Sequence, residues 1–246
     1  MTPASAPMLM TGLVVVAFFV EAATGFGSMV VALTVGAWWF EVDALLGVLV
    51  PLNLVLSGWL VVRGARTVDR RFLRSMLPLV CLGLLAGSAL AEALSSTRWL
   101  QLGFGVFVMG VATWQLVDRS PATMSRSTRT SALLAAGVVH GLFATGGPLA
   151  VLVASRELPD KQSFRATLAM LWVVLNALVL PRLAHQSVLG WGSMQLSALL
   201  LIPLAVGIGL GELAHARLDE ARFRRVVSGL LVVAGATLTY KTLRSA

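Results

Sequence analysis

An all-α membrane protein, built as two inverted repeats that each hold a broken or re-entrant helix pair and three transmembrane helices, is the fold class this sequence predicts. Three observations carry the prediction: its apolar composition, blocks of sequence that recur in order, and an uneven spread of basic residues. Of 246 residues, 57% are hydrophobic and only 12% are charged. Mean hydropathy is +0.86. A soluble domain carries about 25% charged residues, and a chain of this size has too little interior to hide so much apolar surface. Lipid is the better solvent. Long apolar runs agree: Ala44–Val62, Leu73–Leu94, Trp99–Val117, Phe164–Pro181, Met194–Leu213 and Val226–Tyr240. Each approaches the ~20 residues that cross a hydrocarbon core.

The net charge of +8 does not indicate a nucleic-acid partner. The arginines lie in short loops between apolar segments, where cytoplasmic loops collect them. The implied partners are the lipid bilayer and a small solute, and the composition is compatible with a homo-oligomer. Cys81 is the single cysteine, so no intramolecular disulfide forms, and its apolar run marks it as a small buried hydrophobe. Met1–Pro7 has no Lys or Arg. It lacks the basic start of a signal peptide, so the first apolar segment is expected to be retained.

The repeats are read from two offsets. At 124 residues, Gly83-Leu84-Leu85-Ala86-Gly87 falls on Gly207-Ile208-Gly209-Leu210-Gly211. The same offset pairs Leu94 with Leu218, Arg98 with Arg222, Trp99 with Phe223, Gly105 with Gly229, and Ala112-Thr113 with Ala236-Thr237. Nearer the start, an offset of 119 puts Val20-Glu21 on Val139-His140 and Gly27 on Gly146. Asn53 and Asn176 fall at nearly equivalent places, each after a leucine. The order of these matches predicts a first repeat over 1–120, with a broken segment at 8–40 and helices at 44–62, 73–94 and 98–117. A second repeat follows over 128–246, with a broken segment at 131–155 and helices at 163–181, 192–213 and 223–243.

Each repeat opens on two short apolar pieces around a glycine-rich interruption. The first reads Glu21-Ala22-Ala23-Thr24-Gly25-Phe26-Gly27-Ser28, the second His140-Gly141-Leu142-Phe143-Ala144-Thr145-Gly146-Gly147-Pro148. Glycine and proline break helices, and each piece is too short to span alone. If both segments cross, Lys and Arg divide 11 to 8 between the two sides. If both are re-entrant, 63–74, 119–129, 156–165 and 217–225 share one side, and the division becomes 15 to 4. The tendency of basic loops to stay cytoplasmic favours the second arrangement. It gives three full crossings per half, inverts the second half, and leaves both chain ends extracytoplasmic.

Broken backbone at membrane depth must be satisfied by protein or line a water-filled cavity. The breaks are therefore the candidate substrate-binding positions: Thr24, Gly25, Gly27 and Ser28 in the first, Thr145, Gly146 and Gly147 in the second. Free N–H groups at a helix N-terminus attract anions, glycine admits a ligand to the backbone, and the hydroxyls add donors. The alternative is that these glycines only allow close helix packing. Glu21 lies after thirteen uncharged residues and before nineteen more. A carboxyl that deep is costly and usually functional, which makes it the coupling candidate, with His140 as its counterpart. A structural hydrogen bond at the break is the competing reading for both. Asn53 and Asn176 either line the pathway or hydrogen-bond between helices. Gly83/Gly87 and Gly207/Gly211 have small-xxx-small spacing and read as packing. Trp38, Trp39, Trp99 and Trp191 lie near segment ends as interfacial anchors. The Arg63, Arg66, Arg70, Arg71 and Arg74 cluster reads mainly as a topology determinant.

A membrane-embedded enzyme would need clustered nucleophiles or metal ligands. His140, His185 and His215 have no metal-binding spacing, and neither a Gly-x-Ser-x-Gly elbow nor a phosphate-loop signature occurs. No catalytic residue, metal ligand or cofactor is predicted. A secondary transporter fits the residues better than a non-transporting scaffold, because the scaffold leaves Glu21 and the two breaks unexplained; the residues alone do not choose the solute.

The chain resembles the sulfite exporter TauE/SafE family of bacterial membrane transporters. The resemblance covers nearly the whole chain. It rests on Ala22-Ala23-Thr24-Gly25-Phe26-Gly27-Ser28, on Gly137-Val138-Val139-His140-Gly141-Leu142-Phe143-Ala144-Thr145-Gly146-Gly147-Pro148, and on the Gly83/Gly87 and Gly207/Gly211 stretches. This chain departs from the family's usual three-glycine run at Ser28 and Met29, and at Ala144 and Pro148. The resemblance implies a multi-pass protein of the bacterial inner membrane that moves sulfite, an organosulfonate or a related small sulfur-containing anion.

Overall fold

The first apolar run, Met8–Val20, lies within α1, Ser5–Thr24, which is about two turns longer. The computed structural model describes residues 5–93, 124–145, 147–158 and 160–217, with scattered positions within 103–113 and 229–240. The helices expected at 98–117 and 223–243 thus lie largely outside the described residues. α1 does not stop at Val20, because the Glu21 carboxylate finds hydrogen-bond donors inside the protein. With 19 apolar-rich residues from Ala6, α1 is long enough to cross a membrane by itself. It ends where Gly25 (φ 88°) and Gly27 (φ 103°) take left-handed backbone, a conformation costly for residues with a Cβ.

Chain direction reverses at that break. α2, Ser28–Gly36, runs back along α1: a Cβ placed on Gly36 would lie 2.8 Å from the Leu13 side chain, halfway down α1. The second break behaves alike. α5, Arg126–Phe143, is capped at its start by the Ser125 hydroxyl, which accepts from Thr128 N at 3.1 Å. It ends on Ala144 in left-handed conformation (φ 52°), a common way to stop a helix. α6, Gly147–Glu157, then returns, so that Arg129 near the start of α5 meets Glu157 at the end of α6 (Nε to Oε1, 2.6 Å).

Three further helices are long and apolar enough to cross: α3, Val42–Gly64; α4, Arg70–Ala93; and α7, Lys161–His185. The single helix expected at 192–213 is two, α8 (Trp191–Leu199) and α9 (Leu201–Arg217), bent by 46°. Pro203 explains the bend. It has no N–H for the Leu199 carbonyl, and its ring presses on that carbonyl. If α8 and α9 count as one bent span, the described residues hold five candidate spans.

Small residues set which helices touch. α4 packs on α5, where a Cβ on Gly83 or Gly87 would strike the backbone of Leu134, Gly137 or Val138. α9 packs on α1, where Gly207 and Gly211 face the backbone of Val15 and Phe19. This is the small-xxx-small packing expected of both pairs. α3 crosses α7 at the centre, where Leu49, Leu52 and Leu56 join Leu168, Leu171 and Leu175, all under 2% exposed. At one end of the bundle, Asp69 N donates to Thr167 Oγ1 (2.8 Å), Arg129 Nη2 to Ser75 Oγ (2.6 Å) and Lys161 Nζ to the His215 carbonyl (2.6 Å). The described parts of the segments that the charge count groups on one side therefore gather at one end. At the other end, Gly47 abuts the Val188 carbonyl and Arg182 donates to the Gly141 carbonyl.

Candidate functional site

Glu21 sits in the last turn of α1, 2% exposed. Its Oε2 accepts from Ser28 N (3.2 Å), from the Ser28 hydroxyl and from Asn53 Nδ2 (2.9 Å). The Ser57 hydroxyl is 3.5 Å from Oε1. The carboxylate thus occupies the N-terminus of α2, where free amides and the helix dipole favour negative charge. Asn53 completes a chain across the molecule: its Oδ1 accepts from Ser57 (3.2 Å) and from Asn176 Nδ2 (2.7 Å). The two asparagines therefore join α3 to α7, and they also line the cavity below.

The second break presents different chemistry. His140, 2% exposed, lies parallel to the Trp172 indole, ring centroids 6.2 Å apart and planes 6° apart. Trp172 Nε1 donates to the Gly25 carbonyl at 2.9 Å, which ties α7 to the first break. The Thr145 hydroxyl, 3% exposed, has no hydrogen-bond partner among the described residues. Gly147 opens α6, and a Cβ there would meet nothing within 4 Å.

One cavity brings these groups together. It lies between Glu21, Gly27, Asn53, His140, Thr145, Gly147 and Asn176, with Met29, Val30, Ala144 and Trp172 completing the wall. Three expected site residues do not line it. Ser28 lies behind Glu21, hydrogen-bonded to it and to Asn53. The Thr24 hydroxyl is within 2.7 Å of the Val20 carbonyl and 2.8 Å of the Phe26 carbonyl, so it shapes the turn. Gly25 packs beneath Arg165, whose Cα and Cγ would lie 3.1 Å from a Cβ at that position. Gly146 is outside the described residues. Sequence reasoning did not single out Trp172 or Arg165. A signal existed, since Asn176, Trp172 and Arg165 are spaced by four and seven residues and share a face of α7.

A helical bundle long and apolar enough to span a membrane, with a small cavity where two interrupted helices meet, defines a polytopic membrane protein with a candidate site between its helix breaks. Residues 10–238 match the family described as Sulfite exporter TauE/SafE, and the chain belongs to that family of membrane transporters. It is similar to a curated protein from Comamonas testosteroni named "Probable inner membrane transporter protein TsaS". The two are 25% identical over 178 residues, which cover 71% of this chain and 74% of that protein. No solved structure matches.

Proposed function

We propose that this chain is an inner-membrane secondary transporter of a small sulfur-containing anion, sulfite or an organosulfonate, working by alternating access. The observation that carries the reading is the corner at Thr145 and Gly147. A buried hydroxyl there, without a partner among the described residues, faces the same cavity as the N-terminus of α6. Pro148 offers no N–H, so the backbone donors available are those of Gly147 and Leu149. Together with the Thr145 hydroxyl they suit an oxyanion. The first break differs, because Glu21 already holds the α2 N-terminus. We therefore place the substrate on the α6 side of the cavity, with Asn53 and Asn176 beside it.

Glu21, a carboxyl facing the substrate space, is our coupling residue, and His140 is the second candidate. Two inverted repeats, 1–120 and 128–246, are the organisation we propose. The packing supports it: the opening helix of each half lies on the other half's Gly-x-x-x-Gly helix, and α3 crosses its counterpart α7. The Arg-rich end would then face the cytoplasm, and the two folded-back pairs would be re-entrant. Rocking of one half against the other would expose the cavity to each side in turn.

The test is transport by purified protein in proteoliposomes against sulfite, methanesulfonate, sulfate and acetate. Sulfite or methanesulfonate should be moved in preference to acetate, and Thr145→Val should lower that rate about tenfold, the worth of one hydrogen bond to a charged group. Equal rates for all four anions, or full activity in Thr145→Val, would remove the basis of the assignment.

A further inference from the structure

At the Arg-rich end, a second set of charged groups lies outside the cavity. Glu212 on α9 is shared by two guanidinium groups. Its Oε1 contacts Arg165 Nη2 on α7, and its Oε2 lies 3.9 Å from Arg63 Nη1 on α3. The Arg165 side chain is 11% exposed and Arg63 58%, so the cluster opens to solvent on the Arg63 side and closes towards the protein. Lys161, one turn before Arg165, donates to the His215 carbonyl, and His215 Nδ1 lies 2.8 Å from the Ala23 carbonyl. Among the described residues two guanidinium groups therefore face the Glu212 carboxylate. Two guanidinium groups around one carboxylate match the geometry that binds oxyanions.

The cluster also touches the turn that borders the cavity. Arg165 packs over Gly25, while Trp172, a cavity wall, holds the Gly25 carbonyl. This turn thus stands between a wall of the cavity and a pair of guanidinium groups that hold Glu212 of α9.

We propose that Arg63, Arg165 and Glu212 form an anion-exchange gate, in which the substrate oxyanion takes the place of the Glu212 carboxylate on the two guanidinium groups. Displaced, Glu212 no longer pins α9 to α3 and α7, and the end of α9 beside Gly25 is released. When the anion leaves, Glu212 returns and closes the bridge. This inference rests on the anion-transporter reading above.

A brace and a gate respond differently to substitution. Removing either partner of a brace breaks the same bridge, so both changes act in one direction. At a gate, Glu212→Gln removes the competitor and Arg165→Gln removes the receptor. The experiment measures KM and kcat for radiolabelled sulfite and methanesulfonate in proteoliposomes of known orientation, from each side. From the Arg-rich side, Glu212→Gln should lower KM several-fold and also lower kcat, because the anion leaves more slowly. Arg165→Gln should raise KM about tenfold, Arg63→Gln should raise it less, and Arg165→Lys should recover part of the loss. KM from the opposite side should stay as in wild type. Gln at 212 keeps a hydrogen-bond acceptor for Arg165 and Lys at 165 keeps the charge, so these two carry the test if Arg165→Gln does not fold. KM values that move together, or not at all, overturn the gate while leaving the transporter reading intact. A wild-type protein that moves neither anion overturns the transporter reading, and the gate with it.

Discussion

Replacing Glu21 by glutamine separates what this carboxyl is seen to do, which is to hold donors, from the coupling role proposed for it. Oε2 receives three donors, from Ser28 N, the Ser28 hydroxyl and Asn53 Nδ2, whereas Oε1 faces only the Ser57 hydroxyl. A glutamine with its carbonyl oxygen turned to the α2 N-terminus keeps all three. Its amide then faces Ser57, whose oxygen can accept. The hydrogen bonds become neutral and weaken by about half, a loss of about 2–4 kcal/mol over three bonds that removal of a buried charge offsets, so the protein should still fold. Glu21→Ala leaves the Ser28 amide without an acceptor, at about 1–3 kcal/mol, and leaves Asn53 Nδ2 with the Ser28 hydroxyl alone. Glutamine is therefore the usable probe and alanine the control for folding. Initial rates are measured in proteoliposomes at fixed membrane potential, with proton and sodium gradients varied separately. Glu21→Gln should lose the dependence on the proton gradient while substrate exchange without a gradient persists, since exchange moves no net proton. Loss that tracks sodium would instead make Glu21 a cation ligand. Wild-type proton dependence in Glu21→Gln would refute the coupling role and pass it to His140.

Other outcomes follow from particular contacts. Gly147→Val should fold normally and lose transport, because its side chain enters open cavity space; a fully active variant would show that the cavity corner is not the substrate site. Gly27→Val is the poorer probe, since its φ of 103° strains any branched residue whatever binds there. Gly87→Leu should lower the melting temperature in detergent by the equivalent of ~1–3 kcal/mol or more, as overpacking against backbone does. Gly209→Leu, with nothing within 4 Å of a Cβ, should not; equal effects would contradict the packing role of Gly87. In a Cys81→Ser background, Arg66→Cys should react with impermeant thiol reagents only from the cytoplasm and Gln186→Cys only from the opposite face; labelling of both from one face would refute the proposed orientation.

How far the sequence could be read depended on how strongly each residue was constrained by its own neighbours. A carboxyl inside an apolar run has few acceptable explanations, so Glu21 stood out, and the asparagines at equivalent places stood out beside it. Gly83/Gly87 and Gly207/Gly211 were legible because their spacing alone puts both glycines on one helix face. The length of α1 was not legible, since it depends on donors that Ser28 and Asn53 bring from elsewhere in the chain. The bend at Leu200 was not legible either: Pro51, Pro78 and Pro181 lie within helices that continue through them, so proline alone did not mark Pro203 as a break. Most informative is the alignment at the 119-residue offset. It sets Glu21 on His140 and, by the same count, Ser28 on Gly147. In the first half, Ser28 gives its amide and its hydroxyl to Glu21, and the N-terminus of α2 is filled from within. In the second, an imidazole stacks on Trp172 and a glycine supplies neither hydroxyl nor Cβ, so the N-terminus of α6 faces open space beside Thr145. On the repeat organisation proposed above, two differences at matched positions fill one helix end from within and leave the other facing the cavity. This difference between the halves is why we place a single anion, and not two, in the cavity between them.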